Sequence, residues 1–219
     1  MPRGLARIPA VRSRMAIAVV LAFTGPSIGF AQVPGSDPDW PCIQRYIPEL
    51  SPAQVWNGPD PATLGEHWAS DPAVAPLVPR LASSATDLGE AEREIEAFAA
   101  GLPPAERERR LTLLFAGLFE TLDAERRKAV ERVRSFARGQ RALAERIREE
   151  SEALLREQPD AAGGATLAAL DERTKWDLRL FEERRAALPA VCEQPDLLER
   201  RLFALARAIE RALSPDRGG

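Results

Sequence analysis

The sequence predicts an all-α protein: an antiparallel helical bundle or long helical hairpin with a Pro/Trp-rich N-terminal arm packed on it. Three observations predict this. Proline is frequent from Gln32 to about Ala85 and becomes sparse from Asp87 onward, where Ala, Leu, Glu and Arg take over. Beyond that point apolar residues recur at three-and-four spacing over long stretches, the period of a helix with one buried face. Within the proline-rich part stand Trp40, Trp56 and Trp68. Three such large apolar side chains in so short a stretch must be covered, so the arm lies on the helices.

The elements follow in chain order. Arg3, Arg7, Arg12 and Arg14 precede the apolar run Met15–Phe23, and Gly25-Pro26 breaks it. This is the pattern of an export signal, with Gly29 and Ala31 as the small residues before a cleavage after Ala31. The run is too short for the roughly 20 residues that span a bilayer. No Cys stands at the cleavage point, so lipid attachment there is not expected. The signal carries four arginines and no acids, so its loss takes the formal charge from −3 to −7. Such a chain lacks the clustered basic face of a nucleic-acid binder, and no stable membrane insertion is expected after cleavage.

The arm, residues 32–85, reads as extended chain with short helical turns. Ser51-Pro52 and Asp71-Pro72 each set a capping side chain before a proline suited to a first helical position. The helical bundle, residues 86–213, opens at Thr86 or Asp87 with a helix that stops at Gly101. Pro103-Pro104 opens the next, with Leu111, Leu114, Phe115, Leu118, Phe119 and Leu122 along one face. Asp123 either recaps or kinks the chain, or the helix runs through it.

The apolar pattern continues through Val130 to a seam of seven-residue spacing, Val133, Gln140, Ile147 and Leu154, with Phe136, Leu143 and Glu150 three residues after the first three. That is a coiled-coil-like stripe carrying one amide and one acid. Gln158–Gly164 reads as a turn, and Thr166 caps a helix whose stripe is Leu167, Leu170, Thr174, Leu178, Phe181 and Leu188. Pro189 and Pro195 are expected to bracket a break around Cys192. A last helix carries Leu198, Leu202, Leu205, Ile209 and Ala212, and residues 214–219 form a frayed tail. Long helices joined by short turns pack antiparallel.

Cys42 and Cys192 are the only cysteines. In an exported chain such a pair forms a structural disulfide, two free thiols or an intermolecular link, and the intramolecular bridge is the first expectation. Reduction is then expected to loosen the arm and expose Trp40 and Trp56. The pair is not a CxxC or CxxCH motif, which argues against thiol redox catalysis and covalent haem attachment.

Catalytic signatures are thin. One histidine cannot build a His-rich zinc site, and no nucleophile-elbow, P-loop or dinucleotide motif occurs. Glu66-His67-Trp68 is the one cluster of acid, base and aromatic, and it reads first as a histidine beside a packing tryptophan. Acid pairs such as Glu149-Glu150 and Glu182-Glu183 sit among arginines, as in Glu145–Arg148 and Glu152–Arg156, and read as solvated helix faces.

Two resemblances add to this. The Leu102-Pro-Pro-Ala-Glu-Arg and Leu122-Asp-Ala-Glu-Arg starts, twenty residues apart, are faintly similar to the Leu-Thr-x-x-Gln helix starts of the small periplasmic Spy/CpxP-type chaperones. Here Pro or Asp replaces the Thr, and Arg the Gln. That likeness implies a cradle-shaped basic surface, which a charge of −7 does not favour. The opening Trp40-Pro41-Cys42-Ile43-Gln44 with Val55-Trp56-Asn57-Gly58-Pro59, and the closing run from Phe181 through Cys192 to Leu205, resemble uncharacterised exported proteins of α-proteobacteria. That likeness implies an exported helical fold in which both cysteines belong to the pattern, and no activity.

The expectation is a non-catalytic periplasmic interaction, adaptor or structural module without cofactor or metal. Its seam Val133, Gln140, Ile147 and Leu154 would meet a protein partner or a second copy. The alternatives are a holdase-type chaperone using Phe115, Phe119, Phe136 and Phe203, and a hydrolase of unknown substrate using His67 and nearby acids.

Overall fold

A computed structural model describes residues 37–156 and 164–214. The export signal with its cleavage point, the turn over 158–163 and the tail past 214 lie outside the described residues. Five α-helices follow one another: α1 (Pro52–Val55), α2 (Leu77–Ala82), α3 (Leu88–Gly101), α4 (Pro104–Arg156) and α5 (Gly164–Leu213). Two 3₁₀ turns, Pro61–Leu64 and Trp68–Ser70, lie between α1 and α2. No strand occurs among the described residues.

The helix starts carry the predicted chemistry. Gln54 Oε1 accepts from Ser51 N at 2.8 Å at the start of α1. Asp87 accepts from Glu90 N at 3.2 Å and caps α3. Asp71 also caps, accepting from Ala73 N at 2.9 Å and Val74 N at 3.2 Å, but it opens a run of turns and α2 begins only at Leu77. α5 is already helical at Gly164, two residues ahead of Thr166.

α4 is a single helix of 53 residues, about 80 Å long at 1.5 Å per residue. Asp123 does not recap it, because its carboxylate is engaged by arginines one turn on: Arg127 Nε at 3.3 Å and Arg126 Nη1 at 3.7 Å. Leu122-Asp123 is therefore not a helix start, and the twenty-residue echo has no structural counterpart. α5 likewise runs unbroken through Pro189 and Pro195, where a break was expected. Each proline only deletes a bond to the carbonyl four residues back. Pro189 and its orphan partner Arg185 are exposed, so water can take that carbonyl. Pro195 is buried where α5 meets α4 and the arm, near Ile47, Arg126 and Val130.

α4 and α5 are antiparallel along their whole overlap. Arg126 meets Glu199, Gln140 meets Phe181, Arg146 meets Asp177 and Glu150 meets Arg173. From the first of these pairs to the last, α4 advances 24 residues while α5 returns 26, as two antiparallel packed helices require. α3 runs parallel to the end of α5, with Thr86 O accepting from Arg201 at 3.0 Å and Glu92 pairing with Arg211 at 3.3 Å.

The core lies at one end of this pair. It comprises Leu111–Leu122 of α4, Leu202–Ile209 of α5, Ile95 and Ala99 of α3, and Val55, Trp56, Val74, Val78 and Leu81 from the proline-rich segment. Trp56 stacks on Phe115 with ring centroids 4.2 Å apart and planes 7° from parallel, and donates to Pro59 O at 2.8 Å. Such a stack adds about 0.5–1.5 kcal/mol beyond area burial. The proline-rich segment is thus part of the core and not merely laid over it.

Two helix glycines have opposite surroundings. A Cβ at Gly117 would stand 2.5 Å from Val78 Cγ2 and 2.9 Å from the Trp68 ring, so glycine is what lets α2 and Trp68 approach α4. A Cβ at Gly139 would meet nothing nearer than Arg184 Nη1 at 3.5 Å. Gly117→Ala is expected to destabilise by about 1–3 kcal/mol through overpacking. Gly139→Ala is expected to stabilise by up to about 1 kcal/mol through helix propensity. Denaturant melts of the two variants check both signs.

Candidate interaction surfaces

The first candidate feature is the junction that fastens residues 37–50. These residues form no regular structure, so their carbonyls lack helical donors and need others. Arg126 supplies them. Its side chain is 1% exposed, its Nη2 donates to Ile47 O, its Nη1 to Pro48 O at 3.4 Å, and its Nε to Glu199 at 2.6 Å. One buried guanidinium thus joins the arm, α4 and α5. Beside it Cys42 and Cys192 are bonded, with Cα atoms 5.6 Å apart across 150 residues of sequence.

Further along α4, Arg134 pairs with Asp37 at 2.9 Å, Arg138 with Asp39 at 2.9 Å, and Arg141 with Asp39 and with Pro38 O. Hydrogen bonds from Arg138 and Arg141 hold the Asp39 carboxyl below the usual carboxylate range.

The second feature is the seam. Val133 and Leu143 are buried, and Ile147 and Leu154 are half-buried, all on the side of α4 that faces α5 of the same chain. Gln140 Nε2 donates to Phe181 O at 2.9 Å, while its Oε1 is buried without a partner. Glu150 accepts from Arg173 at 2.9 Å and lies 3.4 Å from Thr174 Oγ1. The predicted seam is therefore occupied by α5, and Gln140 and Glu150 lie within that contact.

On α5 the register differs from the predicted stripe in one place. Asp177 is buried at 5% exposure and takes a bond from Arg146 Nε at 2.5 Å, whereas Leu178 is 45% exposed. The Arg146–Asp177 pair thus occupies the interface position that periodicity assigns to Leu178.

Past Arg141, every described hydrogen bond from α4 to another element goes to α5. The distal halves of the two helices form a two-helix extension beyond the core. Its contact alternates apolar residues such as Leu143, Ile147 and Leu154 with polar ones such as Glu150, Thr174 and Asp177, and it bears Leu155 at 87%, Trp176 at 62% and Leu178 at 45% exposure. The Arg179 guanidinium lies 5.2 Å from the Trp176 ring centroid, leaving that ring in a cationic setting.

The other predicted residues lie elsewhere. Phe115 is fully buried, and Phe119 and Phe203 pack on the core from its edge, so these three do not form an open apolar cradle with Phe136. His67 caps the 3₁₀ turn of Trp68, accepting from Ala69 N at Nδ1 and leaving Nε2 to donate to Glu120 at 3.2 Å. Trp68 Nε1 donates to the same Glu120 oxygen at 2.8 Å. Both ring nitrogens are thus engaged, and His67 links the 67–70 turn to α4. Glu66 pairs with Arg109, which also reaches Asp71 at 3.0 Å, so the cluster ties the 66–71 segment to α4. The i,i+3 and i,i+4 pairs Glu145–Arg148 and Glu152–Arg156 form on the solvated face, as their spacing predicts.

Compared with protein families, curated proteins and solved structures, the chain matches none. Among the described residues no helix is long and apolar enough to cross a membrane.

Three predictions follow from this geometry. Reduction of the Cys42–Cys192 bond should cost up to about 5 kcal/mol on a loop-entropy estimate and shift the emission of Trp40, which sits beside Cys42. Trp56, stacked in the core, should stay covered, so a Trp40→Phe chain should show little reductant-dependent shift. Gln140→Leu should stabilise the fold by roughly 1–2 kcal/mol, since it removes a buried unsatisfied oxygen and Phe181 O keeps its helical donor; chemical melts check this.

The third concerns pH. Hydrogen bonding from Arg146 depresses Asp177, and Arg138 depresses Asp39, below the ordinary value of 3.8. Depressed carboxylates contribute fully above the unfolded value, and that contribution is lost as pH falls through the folded one. The melting temperature should therefore fall below about pH 4. Asp177→Asn should lower it at neutral pH and make the acid loss shallower.

Proposed function

We propose that this chain is an exported protein of an oxidising envelope compartment, a periplasmic one, that acts without catalysis as an interaction module. The observation that carries this reading is the two-helix extension past the core, which holds Leu155, Trp176 and Leu178 in solvent. Trp176, held in solvent with the Arg179 guanidinium 5.2 Å from its ring, carries most of the weight, since tryptophan and arginine are the residues that protein contacts favour.

The fastening of the arm supports the compartment assignment. A bond between Cys42 and Cys192 closes nearly the whole described chain, and such bonds persist where thiols are not kept reduced. The export pattern of the first 31 residues points the same way. The partner is a protein of that compartment or a second copy of the chain.

The test is a photoreactive phenylalanine analogue placed at position 176, with a control at exposed Glu96 on α3. Irradiation of intact envelopes should give one or a few discrete adducts from position 176 and none of them from position 96. A broad smear of unrelated proteins from both positions would instead favour a holdase.

A further inference from the structure

The chain holds a single asparagine, Asn57, and the residue after it is Gly58. Both lie between α1 and the 3₁₀ turn that starts at Pro61. The core imposes glycine on position 58. A Cβ there would run into the ring of Trp56, the tryptophan stacked on Phe115. The glycine that follows the asparagine is thus part of how the proline-rich segment packs.

Asparagine followed by glycine is the pair in which a side-chain amide lies most open to attack by the backbone. The nitrogen of residue 58 adds to Cγ of Asn57, the bond from Cγ to Nδ2 breaks, and ammonia leaves with the proton of the attacking nitrogen. A five-membered succinimide remains. Water opens it at either carbonyl to give aspartate or isoaspartate, so the net change is one water taken up and one ammonia lost. Ring closure needs an uncrowded nitrogen whose proton is available. Gly58 has no side chain, and its N–H donates to nothing among the described residues. Asn57 is exposed, so water reaches the ring for the second step.

One contact opposes closure. A single oxygen of Glu210 on α5 accepts from Asn57 N at 2.7 Å and from Asn57 Nδ2 at 3.3 Å. The amide that has to turn and lose Nδ2 is therefore held by its Nδ2. We propose that Asn57 is a site of spontaneous deamidation, with Glu210 as the latch that slows it.

The product acts on the same contact. A donor to Glu210 becomes a carboxylate oxygen, and two like charges face each other where a hydrogen bond stood. The other charged groups lining this cleft are Arg207 and Arg211 of α5 and Arg107 and Glu108 of α4. Arg211 is paired with Glu92 at 3.3 Å. Asp60, three residues on, caps the next turn through Ala62 N at 3.0 Å. The new carboxylate is repelled by Glu210 and drawn to Arg107 and Arg207, so deamidation loosens the hold of the 57–59 turn on Glu210.

The oxidised full chain is incubated in mildly alkaline buffer, folded and in guanidinium chloride, and its tryptic peptide over 46–80 is followed by mass spectrometry. With one asparagine in the chain, exchange of NH2 for OH reads at one position, and electron-based fragmentation separates aspartate from isoaspartate. The folded parent should convert measurably, though more slowly than the unfolded chain. Glu210→Ala should speed conversion of the folded chain by up to about tenfold, the factor that one hydrogen bond to a charged group corresponds to. Glu210→Gln keeps an acceptor and should stay near the parent rate. In guanidinium chloride all three should convert alike, and Asn57→Ser should show no mass change. In melts, which also establish that each variant is folded, Glu210→Gln should lower the Tm of the parent and raise that of Asn57→Asp.

No conversion of the folded chain while the unfolded chain converts fully would overturn the proposal. Unchanged or slower conversion of folded Glu210→Ala would remove Glu210 as the latch. The same sign of the Glu210→Gln effect in both backgrounds would contradict the charge conflict.

Discussion

The structure depends on Arg126. A guanidinium at 1% exposure is costly to desolvate unless its donors are taken, and here they are taken by Glu199 on α5 and by the Ile47 and Pro48 carbonyls of the arm. Three parts of the chain that share no regular hydrogen bonding are thereby joined at one charge. The bond between Cys42 and Cys192 lies beside this point and acts on the unfolded chain, while Arg126 fixes how the folded parts sit. Removing Arg126 would strand Glu199 and two carbonyls together, so this position tolerates little.

The same solution recurs wherever the chain is irregular. A proline-rich segment has too few N–H groups to satisfy its own carbonyls, and the helices beside it have spent theirs. Arginine side chains fill the gap: Arg126 to residues 47 and 48, Arg201 to residues 81 and 86, and Arg141 to residue 38. Carboxylates in the same segments, Asp37, Asp39, Glu66 and Asp71, are met by arginines of α4. The arginine-rich faces of the long helices are thus partly internal surfaces, and their charge is consumed by the chain itself.

Much of the fold was legible because it rests on local chemistry. The cap at Asp87 and the proline start of α4 lie at the helix starts where they were read. The cysteine pairing was legible from its scarcity. What was not legible depended on tertiary context. Asp123 and Pro189 are local break signals, overruled where Arg127 engages the acid and where the exposed face of α5 lets water serve the orphan carbonyl. Asp177 replaces Leu178 in the interface because Arg146, thirty-one residues earlier, stands opposite it, and periodicity alone favours the leucine. The seam itself was visible, but that its partner is α5 required knowing the register of the two helices.

These features divide the molecule into a fastened body with an apolar core and an extension whose apolar contacts, Leu143, Ile147 and Leu154, are interrupted by polar layers at Gln140, Asp177 and Glu150. Polar layers give register at the expense of strength, so the extension should open more readily than the body. Native-state hydrogen exchange of the oxidised chain measures that difference directly. The account predicts strongest protection over 111–122 and 202–209, and clearly weaker protection over 143–156 and 164–181 that vanishes through local opening. Uniform protection along α4 and α5, lost in one global step, would contradict it.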